Sequence, residues 1–201
     1  MAFEARLYLL TPILNTADLD AFAPRLAVAL EASDVASVLA RLAPGAEAKR
    51  VIGKLLEIAG AHDAALLMED PRLAARLGAD GVHVDVGEVA AAVENFKSQR
   101  IVGAGGLKLR DDAMSAGEAG ADYVMFGEPG ASPSLSATVE RVRWWAEIFE
   151  TPCVAYAAEL VDVAELAAAG ADFVALGGAV WDAESPEEAV RTAMKLLRGS
   201  A

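Results

Sequence analysis

Three copies of one short phrase constrain this chain more than any other feature. Gly78-Ala79-Asp80-Gly81-Val82-His83-Val84, Gly120-Ala121-Asp122-Tyr123-Val124-Met125-Phe126 and Gly170-Ala171-Asp172-Phe173-Val174-Ala175-Leu176 recur at intervals of 42 and 50 residues. A glycine just past a helix end takes the left-handed conformation at little cost, and Ala-Asp turns the chain into the next element. In each copy that element is a short apolar run with no polar face, as a strand covered by helices on both sides requires. The spacing is about twice the length of one strand-helix unit, so the phrase marks a repeating β/α architecture.

The rest of the chain fills in the same alternation. Strands are expected over 6–11, 34–42, 64–68, 81–85, 100–104, 123–126, 153–156 and 173–176. Helices are expected over 18–31, 46–61, 71–77, 86–96, 110–118, 136–149, 161–169 and 186–197. Leu19, Phe22, Leu26 and Leu30 make one apolar face, as do Val51, Leu55 and Ile58. Pro12 ends the first strand, and Ser185-Pro186 opens the last helix. Eight strands alternating with eight helices, joined by right-handed crossovers, close most simply into a single (β/α)8 TIM barrel over residues 1–201. The alternative is an open doubly wound sheet, but no Gly-x-Gly-x-x-Gly comes after the first strand.

Composition narrows the functions. A hydrophobic content of 55% over 201 residues supplies ample core. No apolar run approaches the ~20 residues that span a bilayer, and no basic-then-apolar leader opens the chain, so a cytoplasmic protein is expected. The net charge of −13 argues against nucleic acid and anionic membrane as partners. It leaves room for a phosphorylated small molecule, whose charge backbone amides or a metal ion can offset. Cys153 is the one cysteine and falls in a buried-strand pattern, where it reads as a small core residue.

In a barrel of this kind, chemistry sits in the loops after the strands. Gly177-Gly178 comes after the last strand, where adjacent glycines let amides face a phosphate; the plainer reading is a tight turn. Glu69-Asp70, Asp85 and Glu88 put up to four carboxylates near one rim. They suit magnesium, which takes few protein oxygens and keeps water and phosphate. They also suit a solvated acidic edge on which Asp70 caps the helix from Pro71. His83, on a buried strand, reads as a satisfied interior histidine rather than a base. No nucleophile elbow and no Cys/His cluster is present. Trp144-Trp145 lies mid-helix, where one ring must face outward or a neighbour, a second copy of the chain being one use.

The phrases Leu7-Tyr8-Leu9-Leu10-Thr11, Gly78–His83, Gly120–Val124 and Gly170–Ala175, in this order, resemble the thiamine-phosphate synthase family, which includes thiazole tautomerase relatives. The resemblance implies a barrel that couples a pyrimidine methyl pyrophosphate to a thiazole phosphate, with magnesium holding the pyrophosphate. It implies roles for Arg41, which matches the arginine of the family's Arg-x-Lys, and for Asp70 and Glu88, which match carboxylates at the metal. It implies a phosphate grip at Gly177 and Gly178. The departures cluster at the rim. Ala43 stands where the lysine of Arg-x-Lys belongs, Gly105 where a serine does, and Ala157-Ala158 where a Gly-Gly does. The Thr-x-Thr-Lys loop is missing, with Ser132 and Ser134 the hydroxyls offered there. Gly105 remains as a phosphate-side backbone position, and Lys108 is the candidate to replace one lost cation. Each charged phosphate contact contributes ~1.5–3 kcal/mol, so losing two lowers a leaving-group-limited rate by roughly two to four powers of ten. Three functions stay open: a synthase with an altered constellation, a non-catalytic barrel that binds a phosphorylated ligand or a protein, and another reaction on a small phosphorylated molecule.

Overall fold

The computed structural model describes residues 5–96, 98–130 and 134–199. Within them the three Gly-Ala-Asp phrases adopt one geometry. Gly78, Gly120 and Gly170 have φ of +80°, +93° and +103°, the region a side chain disfavours. The next amide turns back onto the helix, from Ala79 to Ala74, Ala121 to Ala116 and Ala171 to Leu166. Those three alanines are buried, which explains a small apolar residue there. Each aspartate then clamps the preceding strand. Carboxylates of Asp80, Asp122 and Asp172 accept from the amides of Leu66, Val102 and Cys153, all at 2.8 Å. Their own amides donate to the carbonyls of the same three residues.

The strands so tied are β1 (Arg6–Leu14), β2 (Val35–Leu42), β3 (Ala65–Met68), β4 (Gly81–Asp85), β5 (Ile101–Gly105), β6 (Tyr123–Phe126), β7 (Cys153–Ala157) and β8 (Phe173–Leu176). They run parallel in the order β1 to β8, and β1 pairs with β8, from Arg6 opposite Phe173 to Leu9 opposite Leu176. The sheet is therefore a closed barrel, as the alternation predicts. Around it lie α1 (Leu19–Glu31), α2 (Ala48–Ala61), α3 (Pro71–Leu77), α4 (Val89–Phe96), α5 (Arg110–Glu118), α6 (Leu135–Ile148), α7 (Asp162–Ala168), α8 (Gly178–Trp181) and α9 (Pro186–Arg198). None of the described helices is long and apolar enough to cross a membrane.

Strand alternation divides the core in two. Leu7, Leu9, Val38 and Leu66 face the helices, whereas Tyr8, Leu10, Leu39, Leu67, Tyr123, Met125, Val154 and Ala175 fill the barrel interior. Cys153 is buried on the helix side, and burial pushes its thiol up to about 12.

Three local departures from the sequence pattern have physical causes. β1 does not stop at Pro12 but continues to Leu14 through a register shift between Leu10 and Ile13. Proline has no amide to give the ladder, so it sits where the ladder is already broken. Residues 86–88 form a 3-10 turn before α4 rather than its first turn. A four-residue helix, α8, comes after the last strand; its Trp181 is buried and donates its indole N–H to the Leu10 carbonyl at 2.5 Å. Of the tryptophan pair, Trp145 is buried and donates to the Thr151 carbonyl. Trp144 is half-buried, with the Arg110 guanidinium 4.7 Å from its ring centroid.

Candidate functional site

A cavity of about 290 Å³ lies at the carboxyl ends of the strands, with Leu10, Leu39 and Met125 as its apolar floor. Arg41, Glu69, His83, Asp85, Glu88 and Glu128 supply its polar lining. Among the described residues the lining carries four carboxylates and one guanidinium, and that guanidinium is already engaged: Arg41 Nε lies 3.5 Å from Glu69 Oε1.

Arg41 is held in place by the β1 irregularity. Its amide donates to the Thr11 hydroxyl oxygen at 2.9 Å, and that hydroxyl donates to the Pro12 carbonyl at 2.8 Å. Thr11 is almost fully buried, so a side chain replaces the backbone acceptor that the register shift removes.

The other wall is built on a buried hydrogen-bond chain. Tyr8 and Tyr123 hydroxyls meet at 3.0 Å, and the Tyr123 hydroxyl lies 2.9 Å from His83 Nδ1. Two glycines make room for this. A Cβ on Gly103 would overlap the Tyr123 ring, and one on Gly105 would overlap both His83 Nε2 and Glu128 Oε1. His83 Nε2 lies 3.9 Å from Glu128 Oε1, too long for a hydrogen bond but close enough for electrostatic attraction. Glu128 also accepts the Gly106 amide at 2.6 Å. Burial raises the Glu128 carboxyl, yet His83, the Gly106 amide and Arg41 together outweigh it and hold it below the ordinary value. Burial pushes the Tyr8 and Tyr123 hydroxyls well above theirs.

The expected site residues are only partly brought together. Arg41 and Glu88 line the cavity, joined by Glu69 and Asp85. Asp70 faces a neighbouring hollow with Ala43 and Leu73, and one of its oxygens accepts the amides of Arg72 and Leu73 as the α3 cap. Gly105 is outside the lining and gives space to His83 and Glu128, which are in it. Lys108 is exposed and outside the lining; its amide donates to Asp112 and its carbonyl accepts from Arg141. Gly177 and Gly178 sit on the β8 side, next to Tyr156 and Asp182 respectively, also outside the lining. Ser132 lies outside the described residues, and Ser134 caps α6.

Asp70 and Glu88 therefore do not converge on one two-carboxylate seat for magnesium. Among the described residues no group of three or more His, Cys, Asp or Glu side chains is placed to hold a metal ion. His83 is the satisfied interior histidine the sequence suggests, buried and bonded to Tyr123, whereas sequence reasoning assigned Glu128 no role beyond its place in the loop after β6. The available signal was the phrase Gly103-Ala104-Gly105, two glycines spaced to clear one face of a strand.

Residues 7–180 match the family model described as thiamine monophosphate synthase. A thiamine-phosphate synthase of Rhodospirillum centenum is 42% identical over 211 aligned positions, covering 98% of this chain and 99% of that one. That of Hyphomonas neptunium is 35% identical over 213 positions, covering 98% and 96%. Among solved structures, thiamine phosphate pyrophosphorylase from Pyrococcus furiosus superposes with a TM-score of 0.82 at 24% identity, over 99% of this chain and 98% of that one. A 3-hexulose-6-phosphate synthase from Salmonella typhimurium gives 0.75 at 17%, over 97% and 100%, a likeness of fold alone. The match over most of the chain and the full-length relatives lead to one conclusion: the chain belongs to the thiamine monophosphate synthase family.

Proposed function

We propose that the barrel mouth couples a pyrimidine methyl pyrophosphate to a thiazole phosphate, with turnover well below that of members carrying both phosphate-gripping lysines. The observation that carries this reading is the cavity itself: Arg41 and Glu88 face one apolar-floored hollow at the strand ends of a chain from this family. In the reaction the carbon–oxygen bond to pyrophosphate breaks, the electron pair leaving with oxygen. The thiazole nitrogen lone pair then closes the new carbon–nitrogen bond, and no proton need move. A carboxylate-lined cavity favours the pyrimidine cation that forms between these steps, because fixed negative charge is already in position. Among the described residues, Arg41 is the lining cation available to the departing pyrophosphate. The thiazole phosphate is assigned to the Gly177-Gly178 turn beside Tyr156. Magnesium, when bound, would come in with the pyrophosphate and offset its charge.

The test is turnover by purified protein beside complementation of a thiamine-requiring strain. Coupling about two to four powers of ten below a lysine-bearing relative is expected, and it should fall further in Arg41→Ala and Glu88→Ala, which change the cavity lining. Growth and turnover equal to such a relative would overturn the reduced rate. Complete absence of turnover, with retained thermal stabilisation by thiazole phosphate, would select the binding-protein reading; saturation at a hundredfold Kd adds ~2.7 kcal/mol.

A further inference from the structure

The Arg41–Glu69 pair is loosely made. Arg6 grips Asp34 through two nitrogens, at 2.7 and 3.1 Å, and Arg110 reaches Glu140 at 3.0 Å. Arg41 meets Glu69 at 3.5 Å through Nε, too far for a good hydrogen bond. Among the described residues neither of these two side chains makes a hydrogen bond elsewhere. The backbone on either side is nevertheless pinned. The Arg41 amide is held by Thr11, and Asp70, next to Glu69, caps α3. A loose side-chain contact between two fixed backbones can be exchanged for a ligand at little cost to the fold, since part-exposed pairs add little stability.

Glu69 also has a second place to lie. Its side chain is 52% exposed and lines two hollows: the cavity it shares with Arg41, and the neighbouring one of about 250 Å³ beside Ala43 and Leu73. Arg41 lies deeper, at 22%, and its charge reaches across the mouth, where it helps to hold the Glu128 carboxyl low. Turned toward the second hollow, the Glu69 carboxylate stays hydrated and clears the guanidinium fork, whose N–H groups can then meet an anion in parallel.

We propose that Glu69 is a built-in competitor for Arg41: it occupies the guanidinium when the mouth holds no anion, turns into the neighbouring hollow when a pyrophosphate group takes its place, and returns as that group leaves. This rests on the coupling reading, in which Arg41 meets the departing pyrophosphate, and names the residue that limits how tightly pyrophosphate is kept. A carboxylate tethered beside the guanidinium competes at a high effective concentration, so every free anion binds more weakly than Arg41 alone would allow. Pyrophosphate is a product of that reaction, and a site that kept it would stall on release.

The experiment is calorimetric binding of inorganic pyrophosphate in chelator-treated buffer, so that no metal ion bridges it to the carboxylates. Glu69→Gln should bind about tenfold more tightly than wild type. Glu88→Gln removes the same charge from the lining but leaves the pair intact, and should gain markedly less. In an Arg41→Ala background, Glu69→Gln should gain nothing. Equal gains in the two single variants, a gain that survives Arg41→Ala, or Glu69→Gln binding no better than wild type would each refute the competitor. The last of these is the result expected if Glu69 merely holds Arg41 in position. The outcomes separate from the functional reading: turnover with pyrophosphate affinity unchanged in Glu69→Gln refutes this inference alone. The predicted gain without turnover refutes the coupling reading and leaves the competition for Arg41 standing.

Discussion

The Arg41 amide donates to the Thr11 hydroxyl across 2.9 Å, at the point where β1 loses register with β2. The cation of the cavity lining is thus anchored through a buried threonine on a different strand. Thr11→Val keeps the shape and removes the acceptor, leaving the Arg41 N–H unmet. Denaturant melts should show a loss of ~1–3 kcal/mol, accompanied by weaker ligand binding at the mouth. Thr11→Ser should retain most of both. A stable valine variant would show that the hydroxyl is dispensable.

The Gly-Ala-Asp clamp is predicted to act through the carboxylate oxygen rather than through sequence alone. Asp172→Ala removes the acceptor for Cys153 N–H and should cost ~1.5–3 kcal/mol, the range for hydrogen bonds to charged groups. Asp172→Asn keeps an oxygen in place and should cost less. Equal losses in the two variants would assign the effect to charge, not to the hydrogen bond.

Gly103 is required by the ring that crosses in front of it. Gly103→Ala should destabilise by ~1–3 kcal/mol or more through overpacking against Tyr123. Combined with Tyr123→Ala, the same change should cost far less than the sum of the two single variants. Additive losses would mean that the two positions do not share the space.

Glu128 sets a pH dependence whose sign is given by its depressed carboxyl. A group whose folded value lies below its unfolded one adds stability above the unfolded value, and that stability is lost as pH falls through the folded value. The wild type should therefore lose stability on acidification below about 4.5, the ordinary value for this group. Glu128→Gln should flatten that part of the curve. Superimposable acid limbs for the two proteins would contradict the assignment.

The turn after β8 carries the phosphate in the proposed reaction, and Gly178→Asp is the direct probe. Gly178 has no positive φ, so the backbone tolerates a side chain, but a Cβ there stands 2.9 Å from Asp182 Oδ2. The added carboxylate should abolish thermal stabilisation by thiazole phosphate and leave the barrel folded. Unchanged stabilisation would place the phosphate elsewhere on the rim.

What the sequence alone determined is the scaffold. Helix ends at Gly78, Gly120 and Gly170, strands with no polar face and eight repeats of the alternation are local features, and local chemistry decides them. Arg41 and Glu88 are named through the family resemblance, at positions at or just past strand ends, and both line the cavity. Tertiary structure alone decided which rim residues meet. His83 and Glu128 are 45 positions apart, and only the absence of side chains at Gly103 and Gly105 lets Tyr123, His83 and Glu128 occupy one wall. Asp70 turned out to be a helix cap facing the next hollow, and Lys108 stands outside the cavity, although each is a short step along the chain from a strand that faces it. A loop residue's direction depends on the capping hydrogen bonds and helix contacts around it, and those are set by the closed barrel rather than by neighbours in sequence.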